Sequence, residues 1–96
     1  MDNAESALKI KLKQLKLAEE KADQALKEEK RSAIQIQLSN LKELVTEVDS
    51  ARRIVEALKI EAKVNDGDIS EWNDAIAAKI EEADGHIENL EEWLRS

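Results

Sequence analysis

The sequence predicts an all-α fold in which long helices form an antiparallel coiled-coil hairpin, about 36–64 against 69–95, after an N-terminal helix at about 3–31. Three observations lead to this prediction. Alanine, leucine, isoleucine, lysine and glutamate dominate a chain without proline, phenylalanine, tyrosine or cysteine. Apolar residues recur at alternating steps of three and four along its last two thirds. One cluster of turn-forming residues, between positions 64 and 69, interrupts this pattern.

The length of 96 residues indicates one domain. We expect a helical arm at 1–31 and a helical hairpin at 32–96, with its turn at 65–68. The lack of cysteine excludes disulfides and thiolate metal sites. No apolar run is long enough for a signal peptide or a membrane span, so we expect an intracellular, cytoplasmic protein.

The net charge of −7 is unevenly distributed along the chain. Residues 1–31 carry eight basic and seven acidic side chains, residues 32–65 carry five of each, and residues 66–96 carry two basic and ten acidic. An acidic chain with one small basic cluster is a poor nucleic-acid binder, because affinity for nucleic acid comes mainly from many phosphate contacts. Charges of opposite sign at the two ends favour contact between those ends, within or between chains.

The N-terminal third has two helical signals. Asp2 and Glu5 have the spacing of a capping box, and an apolar stripe follows at Leu8, Leu12, Leu15, Ala22 and Leu26. Residues 8–17, LKIKLKQLKL, alternate as a strand would, but their helix-favouring flanks predict a helix. Its lysines do not form a clean basic face for a membrane. We expect them to contact an acidic surface, most simply the C-terminal helix of the same or another chain.

Residues 27–32 allow two paths for the chain. Lysine, glutamate and arginine are good helix formers, which favours one continuous helix from about residue 3 to Val64. Alternatively, Ser32 and Gln35 form a capping box, the first helix folds back, and a three-helix bundle results. A continuous helix would leave a projecting arm half exposed in a monomer, and would therefore require a dimer or a larger assembly.

The second helix carries a seam, a line of core-facing residues that alternates in steps of three and four. Its members are Leu41, Leu44, Val48, Ala51, Val55, Leu58 and Ala62. The turn follows at Asn65, Asp66 and Gly67. We expect Gly67 to adopt the left-handed conformation that follows a helix end, and Asp68 and Glu71 to cap the next helix.

The last helix carries the matching seam, at Ile69, Ile76, Ile80, Ala83, Ile87, Leu90 and Leu94, with Asn73 filling the one gap. If the two seams face each other in an antiparallel hairpin, facing residue numbers add to 131, and the fold-back is then centred on the predicted turn. Gly85 lies opposite the seam, where glycine disturbs no packing, so residues 81–90 are predicted to be helical despite it. Asn73, opposite Leu58, either fixes the register or caps the turn.

The sequence offers no catalytic, cofactor-binding or metal-binding residue. His86 is the single histidine, and no second histidine or cysteine at helical spacing accompanies it. We expect it to flank the seam roughly level with Glu47. Asp66 and Asp68 do not begin a calcium loop, since the sixth position lacks glycine and the twelfth lacks glutamate. No cofactor and no small-molecule substrate are therefore expected.

Binding to another protein is the expected role. The candidate partner-binding residues are Trp72, Trp93, Leu38, Val45, Ile54, Leu8, Leu12 and Leu15. They would serve a non-enzymatic structural or interaction module that self-associates, most simply as a dimer, or binds a protein partner through coiled-coil packing. The alternative is a monomeric three-helix-bundle adaptor or regulatory domain that presents a tryptophan-containing edge. The seams and charge pattern resemble coiled-coil segments and spectrin-repeat-like bundles, without a motif specific to one family.

Overall fold

The computed structural model describes residues 3–96, which form three α-helices and no strand. Helix α1 spans Asn3–Glu28, α2 spans Arg31–Glu61 and α3 spans Asp66–Arg95. The all-α prediction is confirmed. No helix within these residues is both long enough and apolar enough to span a membrane. The predicted capping box at Asp2 and Glu5 depends on a residue outside the described range.

The chain folds back between α1 and α2, so the prediction of one continuous helix is wrong and the three-helix alternative is correct. Glu29 has a φ of 53°, in the left-handed region, and Lys30 is extended with φ −102° and ψ 113°. A left-handed residue other than glycine costs about 1–2 kcal/mol. Folding back buries Leu8 and Leu15, and each such burial contributes about 1.5–3 kcal/mol. Helix propensity favours a continuous helix, but burial of apolar side chains stabilises the folded-back chain by more.

Helix α2 starts without a side-chain cap. Lys30 occupies the N-cap position and makes no side-chain hydrogen bond to the helix. The predicted capping box of Ser32 and Gln35 is therefore wrong, because the helix already begins at Arg31. The end of α1 is satisfied by its own backbone: the Glu29 amide donates to the carbonyls of Ala25, at 3.1 Å, and Leu26, at 3.2 Å.

The three helices run up, down and up in an elongated bundle of 49 × 22 × 15 Å. Each helix packs against both others. The core consists of small and branched apolar side chains: Leu8, Leu15, Ala18, Ala22, Ala25, Ile34, Leu41, Leu44, Val48, Val55, Ile76, Ala83 and Leu90. Four of the thirteen are alanines, which let the helix axes approach closely.

The predicted hairpin of α2 and α3 is present, with a register close to the predicted one. Arg52 bonds to Asn73 and Lys42 pairs with Glu91; these numbers add to 125 and 133, on either side of 131. Residues 81–90 are helical as predicted, and a Cβ added to Gly85 would meet no atom within 4 Å.

The seam of α2 is partly exposed to solvent near the turn between α2 and α3. Leu58 is 44% exposed, whereas Val55, one turn earlier, is buried. The cause is the length of α1: its Lys11 pairs with Glu47, and that antiparallel register places Asn3 level with Val55. Residues beyond Val55 therefore pack in a two-helix arrangement that covers less apolar surface.

The turn between α2 and α3 lies where the sequence predicts it, but with different chemistry. The left-handed residue is Lys63, with φ 61°, and no described glycine has a positive φ. The amides of Lys63 and Val64 donate to Ile60 and Lys59 carbonyls, each at 3.0 Å, which is the Schellman pattern. The prediction of a left-handed Gly67 is therefore wrong.

Helix α3 begins at Asp66, two residues before the predicted cap. The side chain of Asn65 accepts a 2.7 Å hydrogen bond from the Gly67 amide, as an N-cap asparagine does. The predicted capping box of Asp68 and Glu71 is wrong, since both already lie within the helix. A Cβ on Gly67 would approach the Asn65 Oδ1 to 3.0 Å, so glycine suits this position because it leaves room for the cap.

Candidate interaction face and buried carboxylate cluster

The exposed large apolar side chains of residues 3–96 all lie on α1 and α2. They are Ile10, Leu17, Ile36, Ile54, Leu58 and Ile60. Helix α3 has none among them and instead carries most of the chain's excess negative charge. The bundle therefore has a charged side, formed by α3, and a side with apolar residues, formed by α1 and α2.

We group four of these exposed residues as a candidate surface, which we call the α1–α2 face: Ile10, Leu17, Ile36 and Ile54. Ile10 and Leu17 are seven residues apart and share one side of α1. Ile36 and Ile54 are eighteen residues apart, five turns at 3.6 residues per turn, and share one side of α2. A groove of about 400 Å³ runs between the two helices and is lined by Leu17 together with polar side chains.

Polar residues on the groove make the α1–α2 face mixed rather than wholly apolar. The Lys11 Nζ lies 2.7 Å from the Glu47 Oε1, and both side chains are about one third exposed. Lys21, Asn40 and Glu43 also line the groove. Ion pairs of this exposure add little to stability, but this pair shows which residues of α1 and α2 lie level with each other.

The structure separates the predicted partner-binding residues into three groups. Leu8 and Leu15 are buried in the core of the bundle and have no exposed side chain to offer. Leu12, Leu38 and Val45 are partly buried and pack against that core, as do Trp72 and Trp93. Ile54 alone is largely exposed, at 58%. Of the predicted set, it is the one that belongs to the α1–α2 face.

Each tryptophan has a cationic partner on α2. The Arg31 guanidinium lies 5.6 Å from the ring centre of Trp93, and the Lys59 ammonium lies 5.2 Å from that of Trp72. Such cation–π contacts contribute about 0.5–1 kcal/mol at exposed sites. The two rings therefore link each end of α2 to the adjacent end of α3. This contact lies within the bundle and does not depend on any partner that the rings also bind.

Two lysines of α1 contact acidic side chains: Lys11 pairs with Glu47 of α2, and one lysine reaches the C-terminal helix as predicted. Lys16 pairs with Glu82 of α3 at 3.5 Å. Asn73 does not cap the turn, where Asn65 is the N-cap: its Oδ1 accepts from Arg52 at 3.0 Å, and its Nδ2 donates to Glu56 at 2.6 Å. It therefore belongs to a polar network between α2 and α3.

His86 was predicted to flank the seam roughly level with Glu47, and its contacts are with α1. Its Nδ1 lies 3.1 Å from the Asp23 Oδ1, and its Nε2 lies 3.8 Å from the Glu19 Oε1. Glu47 instead pairs with Lys11. The reason is that α1 packs against the side of α3 on which His86 lies.

Glu19 is the only buried charged residue among residues 3–96. Its side chain is 6% exposed. Burial raises the pKa of this carboxyl above its ordinary value, and the negative charge of Glu82 raises it further, while His86 and Lys16 act in the opposite direction. Glu19, Glu82 and His86 bring one ligand atom each to within 4.8 Å of one another.

The sequence did contain a signal for this cluster. Glu19 lies seven residues after Leu12 and four after Leu15, so it falls on the apolar stripe of α1. A carboxylate on such a stripe is uncommon and indicates a specific partner. No protein-family model matches the chain, and the comparisons with curated proteins and with solved structures find no match either.

Proposed function

We propose that the chain is a non-enzymatic interaction module that self-associates through its α1–α2 face, with α3 facing solvent. The observation that carries the proposal is that the large exposed apolar side chains of residues 3–96, including the four of the α1–α2 face, lie on α1 and α2 and none lies on α3. Exposed apolar residues gathered on one side of a small protein are typical of protein-binding surfaces. The cytoplasmic location expected from the sequence belongs to the same proposal.

The charge distribution supports a second copy as the occupant. In a two-fold dimer the same surface lies on both subunits, so a strongly charged face repels its own copy. Residues 66–96 carry a net charge of −8, whereas residues 1–31 carry +1 and residues 32–65 carry none. Two α1–α2 faces can therefore meet without a large electrostatic cost, and two α3 helices cannot.

A dimer formed in this way places four helices around the groove. Ile10 and Leu17 of one copy would pack with the apolar side chains of the other. Lys21 and Glu43, which line the groove, would provide polar contacts of opposite sign across the two-fold axis. In such a dimer, the predicted coiled-coil association would occur between two bundles in which α1 has folded back.

Sedimentation equilibrium of the full chain tests the proposal. We expect a mass that rises from monomer to dimer with concentration. Replacing Ile10 and Ile54 by glutamine should shift the association to at least ten-fold higher concentration, because both apolar side chains would be lost from the interface. Circular dichroism should be unchanged, since both residues are more than half exposed.

The matched control is Ile60→Gln, which removes an equally exposed isoleucine of α2. Six residues separate it from Ile54, which places it on a different side of the helix. We expect this variant to associate like the unmodified chain. A chain that remains monomeric at all concentrations would contradict self-association. It would favour the monomeric adaptor instead, whose partly exposed Trp72 and Trp93 lie on one edge of α3.

A further inference from the structure

We propose that Glu19, Glu82 and His86 form a Zn²⁺ site that joins α1 to α3. The three residues place one imidazole nitrogen and two carboxylate oxygens within 4.8 Å of one another. Glu82 and His86 are four residues apart on α3 and so lie on the same side of that helix. Glu19 approaches them from α1. The site is independent of the proposed self-association.

Asp23 orients the histidine for this purpose. Its Oδ1 lies 3.1 Å from the His86 Nδ1, so this carboxylate accepts the hydrogen bond of a protonated Nδ1. The neutral ring then carries its lone pair on Nε2, the nitrogen that faces Glu19. Metal-binding histidines typically donate their second ring N–H to a carboxylate, which fixes the tautomer and strengthens the ligand.

Glu19 provides a second, separate observation. Its side chain is 94% buried, yet within residues 3–96 its carboxylate makes no hydrogen bond, and the ring nitrogen closest to it is the His86 Nε2, 3.8 Å away. A buried carboxylate normally has hydrogen-bond donors or a close cation, since leaving it without them is costly. The carboxylate lines a groove together with Glu82, where a bound cation would supply a close partner.

The ligand set favours zinc over the abundant hard cations. Zn²⁺ binds imidazole nitrogen and carboxylate oxygen, at about 2.0–2.2 Å. Ca²⁺ and Mg²⁺ require more oxygen ligands, and imidazole does not suit them. With three protein ligands, the fourth position would hold water from the adjacent groove lined by Leu12 and Lys79.

Closure around the metal requires only side-chain movement. Tetrahedral ligands at zinc distances lie roughly 3.3 Å apart, compared with the separations of up to 4.8 Å seen here. Glu82 is the mobile ligand, because its side chain is 55% exposed and is held only by Lys16 at 3.5 Å. Zinc would therefore displace Lys16 from Glu82 and draw the Glu82 carboxylate towards Glu19.

Zinc titration of the full chain, followed by NMR of the imidazole nitrogens, tests the site. His86 is the only histidine in the sequence, so its resonances are unambiguous in a sample without a histidine tag. We expect one equivalent of Zn²⁺ to shift the Nε2 resonance to a metal-bound position while Nδ1 stays protonated. At a zinc concentration one hundred times the dissociation constant, the melting temperature should rise by about 10 °C or more. Mg²⁺ should produce neither effect.

Variants distinguish Zn²⁺ binding at this site from a general attraction of Zn²⁺ to the acidic surface of α3. Glu19→Gln and His86→Gln should each weaken zinc binding at least a hundred-fold. Asp23→Asn should weaken it about ten- to a hundred-fold, because it removes only the orienting carboxylate. The matched control is Glu88→Gln, which makes the same change of charge on an exposed residue of α3 and should bind zinc normally.

Three results would overturn the proposal. One is unchanged zinc binding in Glu19→Gln and His86→Gln. Another is an equal loss of binding in Glu88→Gln. The third is metal attachment at Nδ1 in the unmodified chain, because Nδ1 could then no longer donate a hydrogen bond to Asp23. Circular dichroism of Glu19→Gln, which removes a buried charge, checks that loss of binding does not reflect loss of the fold.

Discussion

Lys11 of α1 and Glu47 of α2 form a 2.7 Å ion pair across the groove between their helices. The pair joins residues on either side of the reversal at residues 29–30 and shows the antiparallel register of α1 and α2. That register determines which parts of the hairpin α1 covers. It covers Val48 and leaves Leu58 open, and it places Glu19 and Asp23 beside His86.

Two leucines of the same predicted seam should respond differently to truncation. Leu41 is fully buried under α1 and α3, whereas Leu58 is 44% exposed beyond the end of α1. We expect Leu41→Ala to lower the free energy of unfolding by about 2–5 kcal/mol, and Leu58→Ala to lower it by less than about 1 kcal/mol. Urea denaturation measures both. Equal losses would mean that α1 does not end where the structure places it.

Glycine should stabilise the end of α2. Lys63 holds a left-handed φ of 61°, which costs a residue with a Cβ about 1–2 kcal/mol. Glycine adopts this conformation freely but loses more entropy on folding. We expect a net gain of about 0.5–1 kcal/mol in the free energy of unfolding for Lys63→Gly, measured in urea. Lys63→Ala, which keeps the Cβ, should show no gain, and a gain as large as that of glycine would exclude backbone strain as the cause.

Burial of Glu19 should make the stability of the bundle depend on pH. Its pKa is raised in the folded state, chiefly by burial and then by Glu82, so the folded chain holds the proton more tightly than the unfolded chain. The contribution of Glu19 is therefore fully present below its ordinary pKa and is lost as pH rises through the raised value. His86, Lys16 and Asp23 face the same carboxyl and modify the effect.

Glu19→Gln should accordingly be more stable than the unmodified chain at pH 7, and the difference should shrink as the pH is lowered into the acid range. Urea denaturation with a chelator present isolates this effect from any metal. Glu88→Gln provides the reference for an exposed carboxylate. A difference that is independent of pH would show that Glu19 acts through packing and not through its charge.

The hairpin could be predicted from the sequence because its signals are local and redundant. The alternating steps of α2 and α3 and the turn residues between them all indicate the same register, and Gly85 lies where it does not disturb it. The helix caps were predicted less well. Asn65 and Lys63 perform the roles that the pattern assigned to Asp68 and Gly67, because capping depends on one or two hydrogen bonds that several neighbouring residues could make.

The path of α1 could not be predicted, because residues 27–32 are all compatible with a helix. The decision depends on long-range burial, which propensity does not describe. The contacts of His86 could not be predicted for the same reason, because they depend on where α1 packs. Once α1 is placed, Glu19 and Asp23 lie beside His86, whereas the two-helix arrangement had placed Glu47 there. The α1–α2 face likewise exists only because α1 folds back.

A distance measurement tests this fold-back most directly. The sequence has no cysteine, so cysteines introduced at the exposed positions Glu5 and Arg53 carry the only two spin labels. These positions are level in the register set by Lys11 and Glu47. With labelled chains diluted in unlabelled protein, we expect a distance on the order of 10–25 Å, since packed helix axes lie about 8–10 Å apart. A distance of about 70 Å, which 48 residues of unbroken helix would span, would contradict the fold-back.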